Sequence, residues 1–159
     1  MLNRVKKAVK SFRRAIELAP DDAEVYWHLG YSYCSLKEYV QGVEFLKRAV
    51  QLNPDYADAY IWLANCYNSL GQYHDGMQAL KEALRIQPDR SEAHYNLGEL
   101  YLVLGDTSSA LKEHEILKGL DETLADLLLN LIGKGKLDRV FDGQETEEMK
   151  KKLTSGQNR

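Results

Sequence analysis

The sequence predicts an all-α protein built from repeated helix–turn–helix hairpins. Two observations lead to this fold class. The three prolines of the 159-residue chain recur every 34 residues, at Pro20, Pro54 and Pro88. All ten tyrosines lie between Tyr26 and Tyr101, as expected if a unit is repeated over that part of the chain. A fixed period of this length is typical of repeat proteins.

Five further columns share the register of the prolines, and one of them holds only small residues. The columns are Leu29, Leu63 and Leu97; Gly30, Ala64 and Gly98; Tyr33, Tyr67 and Tyr101; Leu36, Leu70 and Leu104; and Ala15, Ala49 and Ala83. Agreement among six columns is not accidental. The small column predicts that a paired helix approaches closely there.

Each unit is predicted to contain two helices. In residues 23–36, Tyr26, Leu29, Gly30 and Tyr33 follow i, i+3, i+4, i+7 spacing, which places them on one face of a helix. Residues 38–52 repeat this pattern, and Pro54 ends the second helix because the residue before a proline avoids the helical region.

Turn and cap residues lie at the expected joints. The predicted turns between the two helices of a unit are at Lys37, Gly71 and Gly105. The predicted N-terminal caps are Asp22, Asp55 and Asp89.

This hairpin resembles the tetratricopeptide repeat family. The first unit carries the family's columns as Tyr26, Leu29, Gly30, Tyr33, Gly42, Leu46, Ala49 and Pro54. The resemblance implies a right-handed superhelical solenoid with complete repeats at 23–56, 57–90 and 91–124. The second helix of the third repeat is degenerate, since it has His114, Leu117 and Glu122 where the family has an aromatic residue or Leu, Ala and Pro.

The segments on both sides of the repeats are predicted to be partial units. Residues 1–22 match the second helix of a repeat alone, although their net charge of +5 over residues 1–20 is also typical of a mitochondrial presequence. Residues 121–141 are predicted to form a capping helix that covers the last hydrophobic face; an interface with another chain is the alternative. Residues 142–159 are predicted to be a flexible charged tail. The apolar face of the capping helix comprises Leu124, Leu127, Leu128, Leu131 and Ile132, with Gly133 as its C-cap.

No catalytic or metal-binding pattern is present in the sequence, so we expect no enzyme activity, no cofactor and no metal. Cys34 and Cys66 are predicted to be free, half-buried thiols of a cytoplasmic protein. The three complete repeats carry fifteen acidic side chains against eight basic ones, which disfavours nucleic acid. No apolar run approaches the ~20 residues of a membrane span.

The family resemblance implies a binding groove on the first helices. The predicted groove residues are Trp27, His28, Tyr31, Trp62, Asn65, Tyr95, Asn96 and Glu99, with Glu24, Asp58 and Glu92 as an acidic column at the edge. The family's carboxylate clamp is not expected, since its positions hold Trp27, Tyr31, Trp62, Glu92 and Asn96. An alternative for Trp27 and Tyr95 is that they only fill helix packing.

The predicted function is a non-catalytic scaffold that binds an apolar or basic peptide, or a partner helix, in this groove. One alternative is a self-assembly module that forms homo-oligomers through its unpaired N-terminal helix, and another is the recruiting fragment of a larger enzyme. The residues predicted for self-association are Val5, Val9, Phe12 and Ile16.

Overall fold

The computed structural model describes the backbone of residues 2–142 and the side-chain environment of residues 4–134. Residues 2–142 form eight helices and no strand, so the predicted all-α class is confirmed. The helices are α1 Leu2–Leu18, α2 Ala23–Ser35, α3 Tyr39–Leu52, α4 Ala57–Ser69, α5 Tyr73–Ile86, α6 Ser91–Val103, α7 Thr107–Leu120 and α8 Glu122–Asp142.

Successive helices pair into three hairpins, α2 with α3, α4 with α5 and α6 with α7. Helix α1 packs on α2, and α8 packs on both α6 and α7. The observed bounds of α2 and α3 lie within one residue of those expected from periodicity, because the apolar spacing that predicts each helix is also what buries it.

The three predicted turns adopt a left-handed backbone. The φ angle is +62° at Lys37, +74° at Gly71 and +84° at Gly105. Glycine reaches this region without a steric penalty. Lys37 has a Cβ atom, and its backbone is held in a conformation that residues other than glycine rarely adopt.

Only one of the three predicted caps is formed. The Asp22 carboxylate accepts hydrogen bonds from the backbone N–H groups of Glu24 and Val25 at 2.9 and 3.3 Å. The prediction of caps at Asp55 and Asp89 is wrong, because the N-cap positions of α4 and α6 are Tyr56 and Arg90, one residue further along. Tyr56 and Arg90 are the residues equivalent to Asp22 in the next two repeats, and neither side chain forms a capping hydrogen bond.

The small column permits the predicted close approach of the paired helix at Gly30, whereas at Gly98 the helix that approaches is α8. A Cβ atom added to Gly30 would lie 2.6 Å from the Leu46 Cγ atom, and one added to Gly98 would lie 2.5 Å from Leu128 Cδ2. Both distances are far below van der Waals contact, so the leucines occupy the space that a larger residue would need.

The degenerate helix of the third repeat keeps its packing through a hydrogen bond. His114 occupies the column of the buried Leu46 and Leu80, and it is itself buried. Its Nδ1 atom lies 3.1 Å from the carbonyl oxygen of Ala125 in the first turn of α8. A polar ring is tolerated at this position because one of its nitrogens is paired, and the pair ties α7 to α8.

Helix α8 buries one face against α6 and α7. Ala125, Leu128 and Ile132 are buried with Leu117 of α7. Leu127 was expected on this face but is 47% exposed, because it lies about 100° around the helix from Leu128. The predicted C-cap at Gly133 is also wrong, since the helix continues to Asp142. Of the tail predicted for residues 142–159, only the backbone of Asp142 is described, and residues 143–159 lie outside the described part of the chain.

The two cysteines form a disulfide, so the prediction of two free thiols is wrong. Cys34 on α2 and Cys66 on α4 have Cα atoms 6.2 Å apart, within the range that a disulfide spans. Gly42 of α3 faces the pair, and an added Cβ there would lie 2.5 Å from Cys34 Sγ and 3.1 Å from Cys66 Sγ. The bridge therefore joins the first helices of two successive repeats beside a glycine that leaves it room.

Candidate functional site

The eight predicted groove residues lie on α2, α4 and α6, the first helices of the three hairpins. Contacts between neighbouring helices join most of them into one surface. At the N-terminal end of this surface the contacts are between aromatic rings, and at the other end they are hydrogen bonds between polar side chains.

The aromatic end is centred on Tyr31. Its ring packs edge-on against Trp62 with centroids 4.6 Å apart, and it stacks on Trp27 at 5.8 Å. His28 contacts Trp27 at 4.6 Å and stacks face to face on Phe12 of α1 at 5.0 Å. Tyr31 remains 39% exposed, so this cluster presents aromatic surface to solvent.

The two tryptophans of the cluster differ in their surroundings. Both are half-buried and pack against the main hydrophobic core. Trp27 also stacks on Tyr56 at 5.9 Å, and its indole Nε1 is buried with no acceptor among the described residues. Trp27 thus takes part in helix packing as well as lining the surface, in line with the alternative that the sequence left open for it.

The polar end is formed by side chains of α4 and α6. The amide Nδ2 of Asn96 donates to Asn65 Oδ1 at 3.2 Å across the two repeats. The Tyr95 hydroxyl donates to Glu99 Oε1 at 3.0 Å. Burial, followed by this hydrogen bond and the negative charge of Glu99, raises the pKa of Tyr95 to about 12. The phenol therefore stays protonated at neutral pH and donates to the Glu99 carboxylate.

The acidic column at the edge is partly neutralised by Arg90. Arg90 pairs with Asp58 of the preceding repeat and lies 3.6 Å from Glu92. Because these two pairs are largely exposed, each contributes little to stability, but the guanidinium group lowers the net negative charge expected along this edge. The third acidic residue, Glu24, lies 3.6 Å from His28 Nε2.

Helix α1 lies against α2, and the four side chains predicted for self-association are half-buried there. Phe12 stacks on His28, and Arg13 donates two hydrogen bonds to the Tyr33 hydroxyl, at 2.7 and 3.0 Å. An open cavity of about 320 Å³ remains between the two helices, beside Val5, Ala8 and Phe12. The apolar face of α1 is therefore covered only in part.

A second cavity lies at the polar end and includes residues that the sequence analysis did not single out. Asn68, Ser69, Tyr73 and Val103 line it together with Glu99 and Leu100. The repeat register could have indicated two of them, since Ser69 and Val103 follow Asn65 and Glu99 by one helical turn on the same face.

Within the described residues, no cluster of three or more His, Cys, Asp or Glu side chains is arranged to hold a metal ion. In that same part of the chain, no helix combines the length and apolar character needed to cross a membrane.

Hairpins of this length with small residues at the helix contacts define a tetratricopeptide repeat protein. The family model described as "Anaphase-promoting complex, cyclosome, subunit 3" matches residues 1–83, more than half of the chain, and the chain belongs to this tetratricopeptide repeat family. A second model, described as "TPR repeat", matches residues 64–105. The predicted family is thus confirmed.

Solved structures with the same fold include MamA and YrrB. A MamA crystal structure is 28% identical, with 77% of this chain and 71% of that chain covered at a TM-score of 0.72. YrrB, described as a TPR protein with an unusual peptide-binding site, is 25% identical, with 82% and 70% covered at a TM-score of 0.70. MamA from Desulfovibrio magneticus shares the fold at 23% identity, with 77% and 69% covered and a TM-score of 0.71. No curated protein matches the sequence significantly.

Proposed function

We propose that this protein is a non-catalytic scaffold that binds a peptide or a partner helix along α2, α4 and α6. The observation that carries the proposal is the continuous surface from Tyr31 to Glu99, in which Trp62 and the Asn65–Asn96 pair link the two ends. Proteins of the tetratricopeptide repeat family generally serve as interaction scaffolds. YrrB, which shares the fold, is described as having a peptide-binding site.

The chemistry of the surface defines the expected partner. Tyr31 and Trp62 offer large rigid rings, which are enriched among the residues that dominate binding energy. The asparagines can donate to and accept from an extended peptide backbone, and Glu99 adds a negative charge at the far end. A segment that has apolar side chains followed by a basic one fits this order.

A library of random peptides displayed on phage would test the proposal. Selected peptides should bind Trp62→Ala more weakly by about 2 kcal/mol or more, because the variant removes a central aromatic anchor. Val40→Ala is the matched control, since Val40 is 66% exposed on α3 and should leave binding unchanged. If the unfolding temperature of Trp62→Ala falls sharply while binding per folded molecule stays the same, Trp62 belongs to the core and the groove is wrongly placed.

Self-assembly through α1 remains a second candidate, and the partly covered apolar face of α1 favours it. Residues 1–20, which include α1, carry a net charge of +5, and the rest of the chain carries −8. Helix α1 of one molecule is therefore attracted to the acidic remainder of another. Light scattering over a range of protein concentration should then show association that weakens with salt. Charge reversal at the exposed Lys6 and Lys10 should dissociate it, and a monomer under all these conditions would exclude this candidate.

A further inference from the structure

An open cavity of about 360 Å³ lies between the C-terminal ends of α4 and α6. The side chains that line it are Asn68 and Ser69 of α4, Tyr73 of α5, and Glu99, Leu100 and Val103 of α6. Leu100 and Val103 form an apolar wall, and Ser69, Tyr73 and Glu99 contribute oxygen atoms. Asn68 Oδ1 is buried against Gly76 and is not one of these acceptors. The cavity thus combines room for a long aliphatic stem with several hydrogen-bond acceptors.

The charge in this cavity comes from Glu99. Its side chain is half-buried and accepts the hydrogen bond from Tyr95. Among the described residues, no Lys, Arg or His nitrogen lies within 4.0 Å of the Glu99 carboxylate. A partly buried carboxylate without a cationic partner attracts a positive group more strongly than an exposed one does.

Two helix ends add to the negative potential. Helix α4 ends at Ser69 and α6 at Val103, and neither has a basic residue in its last turn. The carbonyl end of a helix carries about half a negative charge, and cations placed there are stabilised. Both helix ends at this cavity therefore lack the positive side chain that would complement them.

The third repeat is the one that supplies the carboxylate. The residues equivalent to Glu99 in the first two repeats are Tyr31 and Asn65. The contact between α2 and α4 is closed by the Cys34–Cys66 disulfide, whereas no such bridge occupies the space between α4 and α6 in the described chain. The carboxylate is thus specific to one place in the repeat array, since the cavity between α1 and α2 has Val5, Tyr31, Ser32 and Ser35 at the equivalent positions and no carboxylate in its lining.

We propose that this cavity receives the side chain of an arginine from the peptide bound in the groove, an inference that rests on the proposed function. The planar guanidinium group has five N–H donors in a fixed arrangement, which suits a carboxylate flanked by further oxygen acceptors. Its aliphatic stem would lie against Leu100 and Val103. The arginine would thereby fix the direction in which the peptide runs along the groove.

N-acetyl-argininamide is a suitable probe, with N-acetyl-citrullinamide as a neutral analogue of the same shape. In an NMR titration of the whole protein, the arginine probe should shift the backbone amide signals of Asn68 and Val103, and the citrulline probe should not. Glu99→Gln should weaken binding of the arginine probe by about tenfold or more, as expected for loss of a charge-assisted pair. Glu44→Gln is the matched control, because Glu44 is exposed on α3 and does not belong to the groove.

Val103→Arg provides a second variant that does not remove the carboxylate. Val103 is 59% exposed, so the substitution should be tolerated, and the new guanidinium should occupy the cavity and block the probe. Equal shifts with both probes, or unchanged binding in both Glu99→Gln and Val103→Arg, would overturn the proposal.

Peptides selected from the phage library separate this inference from the groove itself. Peptides that require Trp62 but bind Glu99→Gln normally and show no enrichment in arginine would disprove the arginine site while leaving the groove intact. Arginine-probe binding that requires Glu99, combined with peptides indifferent to Trp62→Ala, would support the cavity and remove the aromatic end of the groove from the binding site. Enrichment in lysine without arginine would contradict the proposed guanidinium specificity.

Discussion

The buried ring of His94 lies between two acceptors on different elements. Its Nδ1 atom is 2.7 Å from Glu113 Oε2 of α7, and its Nε2 atom is 2.8 Å from the Pro88 carbonyl oxygen in the loop between α5 and α6. The first two repeats have Tyr26 and Tyr60 at this column. Each ring nitrogen lies within hydrogen-bond distance of one of these acceptors, so one side chain ties the loop to α7.

Glu113→Ala should lower the free energy of unfolding by about 1–3 kcal/mol, because it leaves a buried ring nitrogen without its partner. Urea unfolding followed by circular dichroism measures this change. Glu44→Ala is the control, since Glu44 is an exposed residue of α3 and should change stability by less than about 0.5 kcal/mol. Equal effects of the two variants would show that the His94–Glu113 pair does not stabilise the third repeat.

Gly42→Ala should destabilise the protein by about 1–3 kcal/mol, the usual cost of overpacking, because the new Cβ would meet the two sulfur atoms. Gly119→Ala, in the exposed part of α7, meets nothing within 4 Å and should stabilise its helix by up to about 1 kcal/mol. Thermal unfolding of the two variants should therefore show shifts of opposite sign. A Gly42→Ala protein as stable as Gly119→Ala would mean that the sulfur atoms lie elsewhere.

The disulfide should contribute to stability by restricting the unfolded chain. Cys34 and Cys66 are 32 residues apart, and closing a loop of this size contributes about 2–4 kcal/mol. The double variant Cys34→Ser, Cys66→Ser should unfold at a correspondingly lower urea concentration, and wild-type protein with a reductant should approach it. Thiol titration of protein unfolded without reductant should detect no free thiol, whereas two free thiols per chain would show that the bridge is not formed.

Stability should fall at high pH because tyrosine side chains are harder to ionise in the folded protein. Burial is the main reason that the pKa of Tyr95, Tyr56 and Tyr101 is raised, with Tyr95 reaching about 12. An unfolded tyrosine titrates near pH ~10. The folded chain therefore retains protons that the unfolded chain releases, and stability that is complete below pH ~10 is lost progressively as the pH rises towards 12.

Tyr95→Phe should flatten this loss, measured by urea unfolding at a series of alkaline pH values. In Glu99→Gln the pKa of Tyr95 should be lower, because the acceptor of its hydrogen bond loses its negative charge, and phenolate absorbance would report the shift. An alkaline profile of Tyr95→Phe that coincides with that of the wild type would contradict the contribution assigned to Tyr95.

Much of the fold could be predicted from local pattern. The spacing of Tyr26, Leu29, Gly30 and Tyr33 predicts a helix because those same residues form the buried face once the helix packs. The left-handed turn at Gly71 could likewise be predicted, since glycine favours that backbone. The groove residues followed from the repeat register together with the family resemblance, and their role in binding stays a prediction.

Other features depend on angles and distances between helices, which no local pattern contains. Cys34 and Cys66 occupy different columns of the repeat, so only the packing of α2 on α4 shows that their sulfur atoms meet. The burial of Leu128 and the exposure of Leu127 depend on how α8 is rotated against α6. The cavity beside Glu99 exists because two helix ends and the start of a third meet there. The sequence by itself determined the repeat and its helices, and the tertiary structure decided which side chains of separate repeats share a site, because that depends on the relative placement of the helices.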